Sequence, residues 1–406
     1  MIQIPITQFS ARQVQPTLII SDTGVDIMKG LANQNLLKFC YSDSTSDKAD
    51  GLDIEIADPY RTWMQQHMPK KGIECKAGFI VYNWLAPGDD RTFEMGIFYI
   101  NCIEYKGGSQ HGNTITIKGS SIPVQSRIKN EKKHKSWEKS DLKSIAGQVA
   151  KQNGLILFYD TQQNPTVKRT DQIDKSDLQY LRDRCKEAAL SLKIHNKQLV
   201  IYSEEEYDQR DAIFTITYGK SNVIDWEFIS KVDDTYKEAQ NSYVDPETGK
   251  LVKEKFTPDE SPEGSYESLN LNERNETEPD DPDPNPGGDD PWPQIQMGVL
   301  VGVGERTGFD ALSYDFDGPA QSHGKGKGSK QHSKRKCKSK LRQKNKKEKE
   351  SKIKVVGDPM YLSSLNIQLI DWGIFSDKWF ISEAKHDIDQ NGYTVELNLR
   401  KTLKGY

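Results

Sequence analysis

Few residues in this chain have the types and spacing that chemistry needs. Cys102, Ser109 and His111 lie close together, so a Cys-His nucleophile pair can be drawn, but no third group orients the histidine, and an exposed turn histidine is the plainer reading. Gly302-x-Gly304-x-x-x-Gly308 approaches a phosphate-cradling loop, yet its spacing misses both GxGxxG and GxxxxGK(S/T), and no βαβ context surrounds it. A flexible loop is expected there. His386 is placed at a strand end, where packing is expected rather than metal binding. Lys325–Lys354 is a basic run that could meet phosphates, but it has no interleaved aromatics for base stacking. A solvated linker and helix pairing with acidic groups is expected instead. The sequence therefore assigns no catalytic, cofactor-binding or metal-binding residue.

Composition narrows the class further. The chain has 406 residues, 34% hydrophobic, with a formal net charge of −4. That length suffices for two or three domains, while the low apolar content implies that part of it lies outside any core. The five cysteines, Cys40, Cys75, Cys102, Cys185 and Cys337, are scattered without a CxxC pair, so reduced structural thiols and no zinc site are expected. The N-terminus MIQIPITQFS has no secretory pattern, and no apolar run approaches the ~18–20 residues of a membrane span.

The elements that would have to position any site are mostly strands. Leu52, Ile54 and Ile56 alternate with Asp53, Glu55 and Ala57, and Asp58-Pro59 stops that strand and caps a short helical piece over Pro59–His67 that carries Trp63. Pro69-Lys70-Lys71-Gly72 turns the chain into the next strand, Cys75–Tyr82. Between 121 and 205 the pattern changes. Ser140 is expected to cap a helix burying Leu142, Ile145, Ala146, Val149 and Ala150, and Ser176 a second burying Leu178, Leu181, Cys185 and Ala188. An Asn196-Lys197 turn joins two short strands. From about 252 to 291 the composition falls to Asp, Glu, Pro, Ser, Asn and Gly, ending in PDDPDPNPGGDDP; such a segment is expected to be disordered. The last fifty residues return to strands around an Asp389-Gln390-Asn391-Gly392 hairpin.

Several of these motifs, in order, resemble phage late control gene D proteins, the baseplate hub proteins of contractile tails related to the hub domain of VgrG. They are D-I-x-I-x-D from Asp53 with Trp63 and P-K-K-G after it, S-D-L-x-Y-L-R-D from Ser176, V-I-D-W-x-F from Val223, D-D-x-Y from Asp233, the D-P-E-T-G turn from Asp245, K-S-K-L-R-Q from Lys338, G-D-P-x-x-L from Gly357, W-F-I-x-x-A-x-H from Trp379 and N-G-Y-x-x-x-L-x-L-R from Asn391. The resemblance covers about residues 1–245 and 335–406. It implies an α+β, mainly β fold of two small related β-barrel domains with an inserted α+β domain and a long disordered charged insertion. The expected division is 1–120 for the first barrel, 121–205 for the middle domain, and 206–250 with 350–406 for the second barrel. Residues 251–330 form an acidic then basic low-complexity insertion, and 331–349 a Lys-rich helix.

The function implied is a non-enzymatic, trimeric baseplate hub of a contractile phage tail, tailocin or other contractile injection system. Its pseudo-sixfold ring joins the hexameric tail tube to the trimeric central spike, with contacts to other baseplate or tape-measure proteins. No small-molecule substrate, nucleic acid or cofactor is expected, and the location is a virion or tail-like particle assembled in the bacterial cytoplasm. The alternative is a tail-associated peptidoglycan hydrolase with its catalytic part in 250–330, although no paired carboxylates or Cys/His set on a folded scaffold is expected there.

Overall fold

Strict alternation builds the first unit: on the strand Gly51–Ala57, Leu52, Ile54 and Ile56 are buried while Asp53 is exposed. The computed structural model describes residues 12–29, 35–45, 48–67, 69–108, 112–123, 126–244, 250–271 and 327–406. The first unit comprises β1 (Gln13–Ile20), β2 (Leu36–Ser44), β3 (Gly51–Ala57), β4 (Glu74–Tyr82), β5 (Arg91–Gly108) and β6 (Gly112–Ser120). Its core holds Phe39, Ile54, Phe79, Phe98 and Ile117, all fully buried. The helical piece expected after Asp58 is a π-helical turn, Trp63–His67, with the Asp58 carboxylate accepting from the Trp63 and Met64 amides.

The middle lobe runs α1 (Arg127–Asn130), β7 (Lys132–Asp141), α2 (Leu142–Gln152), β8 (Ile156–Asp160), β9 (Thr166–Ser176), α3 (Asp177–Glu187), β10 (Ser191–His195), β11 (Gln198–Tyr202) and α4 (Glu204–Gln209). Helix α2 is capped by Asp141, not Ser140: the helix starts at Leu142, and the Asp141 carboxylate accepts from Ser144 N. Ser176 caps α3 as expected, its hydroxyl accepting from Gln179 N at 3.2 Å, a cap typically contributing about 1 kcal/mol. Asn196 and Lys197 both adopt positive φ, the backbone of a two-residue hairpin turn.

The second unit comprises β12 (Ala212–Thr217), β13 (Val223–Ser230), β17 (Lys349–Val356), β18 (Asn366–Ile370), β19 (Lys378–Asp389) and β20 (Gly392–Lys401). Between β13 and β17 come β14 (Glu238–Val244), β15 (Leu251–Phe256), β16 (Ser268–Asn270) and helix α5 (Lys327–Asn345). Two expectations are corrected here. Residues 251–256 and 268–270, placed in the disordered insertion, are strands that pair with β14. The Lys-rich helix starts and ends earlier than 331–349, because Lys349 already belongs to a strand.

The two units are not separate closed barrels. Among the described residues they share one 12-stranded sheet whose hydrogen-bonded path, β1-β4-β5-β6-β3-β2-β19-β20-β17-β13, stays open, with β18 and β12 branching from β19. The strand order β1-β4-β5-β6-β3-β2 recurs as β12-β18-β19-β20-β17-β13. One pairing differs: β1 meets β4 antiparallel, and β12 meets β18 parallel. The units join where β2 pairs with the second half of β19, Lys38 to Ser44 against Asp389 to Glu383.

Candidate assembly surface

An end strand exposes backbone donors and acceptors along its free side, so its side chains reveal whether water or protein is meant to lie there. Among the described residues β13 pairs only with β17. Its sequence is not that of a solvated edge: Ile224 is 53% exposed, Trp226 49% and Ile229 44%. Trp226 lies 5.6 Å from Trp372 and 6.4 Å from the half-exposed Tyr218, both edge-to-face, and Phe228 stacks on Phe375 at 4.5 Å. An aromatic end strand of this kind is the composition of a surface that another chain covers.

Away from this edge, two buried charge clusters tie separate elements of the chain together. Lys193 of β10 reaches from the middle lobe to Asp43 of β2 and stands 3.0 Å from Asp50 Oδ1. His195 Nδ1 lies 2.6 Å from the other Asp50 oxygen, and Ser363 N donates to Asp43 at 2.7 Å. Burial pushes the Asp43 carboxyl up, but the Lys193 ammonium outweighs it and holds the group below its usual range. Burial pushes Lys193 down; Asp43 and Asp50 more than reverse that. One lysine thus ties together the lobe, the first unit and the loop ahead of β18.

The second cluster joins α4, α5 and β20. Arg400 meets Glu204 at 3.2 Å and Asp208 at 3.0 Å, and Arg342 meets Asp208 at 2.5 Å. Burial alone would raise the Glu204 carboxyl, but Lys346, Arg400 and Arg342 draw it well below the ordinary range. Here the basic run finds its use. Lys338 pairs with Glu205 at 2.7 Å, Lys344 with Asp234 at 3.0 Å and Lys352 with Glu396 at 3.3 Å. Part of its charge therefore answers carboxylates of the same chain, on α4, β20 and the segment after β13.

Of the candidate chemical residues, Cys102 and His386 are described, and they lie on different strands, β5 and β19. Ser109, His111, Gly302, Gly304 and Gly308 lie outside the described residues, as does the turn 245–249. Cys102 is partly buried on β5. Burial pushes the Cys40 and Cys75 thiols up to about 12, which suits packing and not nucleophilic attack. His386 is not at a strand end: it sits inside β19, fully buried, between the Tyr393 hydroxyl and the Tyr361 carbonyl. Among the described residues no group of three or more His, Cys, Asp or Glu side chains is arranged to hold a metal ion. No helix among them is long and apolar enough to cross a membrane.

No family model matches the chain, and no curated protein matches it by sequence. Solved structures do. The chain is similar to the 43 kDa tail protein of prophage MuSo2 from Shewanella oneidensis, with a TM-score of 0.63 at 13% identity over 95% of this chain and 98% of that one. It is equally similar to a tail protein from Neisseria meningitidis MC58, with a TM-score of 0.63 at 10% identity over 95% and 96% of the two chains. A Francisella PdpA–VgrG complex in its lidded form matches with a TM-score of 0.51 at 9% identity, over 98% of this chain and 54% of that one. The alignments with the two tail proteins each cover 95% of the chain, which therefore shares their fold.

Proposed function

We propose that this chain is a structural component of a phage tail or tail-like injection particle, and within it the non-enzymatic baseplate hub of the late control gene D type. Three copies form a ring of six like units that seats the hexameric tail tube on one side and the trimeric central spike on the other, with other baseplate or tape-measure proteins around it. The observation that carries this reading is the repeated strand order: a chain with two like units offers sixfold quasi-symmetry from a trimer. The likeness to two tail proteins over 95% of the chain supports it. The units of the proposal are 1–120, the lobe 121–205, and 206–250 with 350–406. The site of action is the baseplate of the particle, built in the bacterial cytoplasm.

Light scattering on the purified chain, alone and mixed with the tail tube and spike proteins of the same particle, tests the reading. A trimer, alone or upon mixing, is expected; a monomer that ignores both partners overturns it. A peptidoglycan zymogram tests the non-enzymatic part, which clearing by the purified protein overturns.

A further inference from the structure

The repeat extends to single residues. Opposite β6, strand β5 carries a bulge at Asn101; opposite β20, strand β19 carries one at Ser382. Opposite β3, strand β2 bulges at Leu37; opposite β17, strand β13 bulges at Ile224. Gly72 N donates to Ile100 O and Ile100 N to Ile73 O, just as Ser364 N donates to Ile381 O and Ile381 N to Leu365 O. Bulges and bonds together set the correspondence: Tyr105 stands where the other unit has His386, Lys106 where it has Asp387, Trp226 in place of Phe39 and Phe228 in place of Tyr41.

The junction within the chain uses position two of one unit, β2, against the second half of position five of the other, Glu383–Asp389. The equivalents are β13 and Cys102–Gly108. Both are open among the described residues: β13 pairs only with β17, and Cys102–Gly108 pairs only with β6. We propose that β13 of one copy pairs antiparallel with Cys102–Gly108 of the next, repeating between chains the junction that β2 and β19 make within one. This rests on the multi-copy ring proposed above and names the strands that close it.

Two independent observations favour that occupant. The first is burial. At the internal junction Phe39 is 0% and Tyr41 1% exposed, whereas Trp226, the equivalent of Phe39, is 49% exposed for want of a covering strand. The second is charge. Lys38 pairs with Asp387 at 3.2 Å across the internal junction, and the equivalent positions hold Asp225 and Lys106, the same pair with its signs exchanged. Transferring the internal register sets Glu227 opposite Lys106 and Phe228 opposite Tyr105. It also sets Trp226 opposite Gly107, which offers no side chain to obstruct the indole. The contact is head-to-tail, so it does not stop at a pair, and it closes a ring when three copies repeat the rotation that relates the two units within a chain.

The test is cross-linking of the full chain carrying Cys102→Ser, Glu227→Cys and Lys106→Cys, with a short bismaleimide. Directly opposed positions have Cβ atoms about 4.5–5.5 Å apart. A cross-linked ladder ending at the trimer is expected, absent from the variants that carry only one of the two new cysteines. If the unmodified chain is a trimer by light scattering and the double variant links no better than those controls, the strand pairing is overturned and the hub reading survives. A ladder ending at the dimer also overturns it, because that is a symmetric contact. If the chain stays monomeric with tube and spike proteins present and does not link, both fall together.

Discussion

His386 Nδ1 lies 2.7 Å from the Tyr393 hydroxyl, while Nε2 lies 2.8 Å from the Tyr361 carbonyl oxygen. A carbonyl can only accept, so Nε2 carries the proton and Nδ1 accepts from the tyrosine; both nitrogens are satisfied by a neutral ring. Burial pushes this histidine down to about 4, against the opposing pull of the Tyr361 carbonyl. In the unfolded chain it titrates near 6.5, so between those values the unfolded state binds more protons and stability falls as pH falls. Lowering pH from 7 to 5 is expected to cost about 2 kcal/mol through this group. Urea titrations of the parent and of His386→Gln at both pH values check it: the variant is expected to lose that much less on acidification.

Among the described residues Lys193 is the cation that meets both Asp43 and Asp50, while His195 meets Asp50 alone. Lys193→Met removes it and leaves buried carboxylates facing one another, a loss of about 3–5 kcal/mol. Adding Asp43→Asn to Lys193→Met is expected to recover part of that, because one of the stranded charges is gone. The depressed Asp43 carboxyl sets the sign of its own pH dependence: its contribution is present above about pH 4 and is lost as pH falls through the lower folded-state value. Urea midpoints of the single and double variants, with near-ultraviolet circular dichroism as the signal, decide the matter.

Local chemistry made the Ser176 cap, the Asn196-Lys197 turn and the alternating strand around Ile54 legible in the sequence, because each is settled within a few residues. The Asp141 cap was missed by one position, since Ser140 is equally able to cap; the helix begins at Leu142, so it is the Asp141 carboxylate that reaches the Ser144 amide and hydroxyl. The strand Leu251–Phe256 was legible at its start, as the extended piece after the Asp245–Gly249 turn; beyond Val252 its alternation, with Phe256 half-buried, was outweighed by composition. The joint between β2 and β19 spans most of the chain, and no local pattern announces it. The residue-level repeat was hidden for a related reason: equivalent positions carry Tyr105 and His386, or Lys106 and Asp387, so backbone bulges preserve what the side chains conceal.

Gly357 is held to its residue type by Tyr393. A Cβ there would stand 2.2 Å from the tyrosine ring, and the Gly357 amide already donates to the Tyr393 carbonyl at 2.8 Å, so the backbone has little room to retreat. Gly357→Ala is expected to destabilise by about 1–3 kcal/mol or more, as overpacking does. Thermal melting of Gly357→Ala, alone and in a Tyr393→Leu background, checks the cause: the alanine is expected to cost less once the ring is gone.

Lys106 is 73% exposed at its side chain and has a weak 3.6 Å contact with Glu104, so its charge matters little to the isolated chain. Lys106→Glu is expected to leave melting within about 0.5 kcal/mol of the parent. In the proposed ring the same change places a third carboxylate against Asp225 and Glu227 of the next copy. Close charge pairs at an interface couple by about 1.5 kcal/mol or more, so the association constant is expected to fall more than tenfold. Asp225→Lys with Glu227→Lys is expected to weaken assembly in the same way. Combining all three changes restores opposite signs across the junction, and assembly is expected to return toward that of the parent. A concentration series by light scattering reads all four proteins on one scale. Recovery in the combined variant separates a charge contact between these two strands from general damage to the surface, which no second set of substitutions would repair.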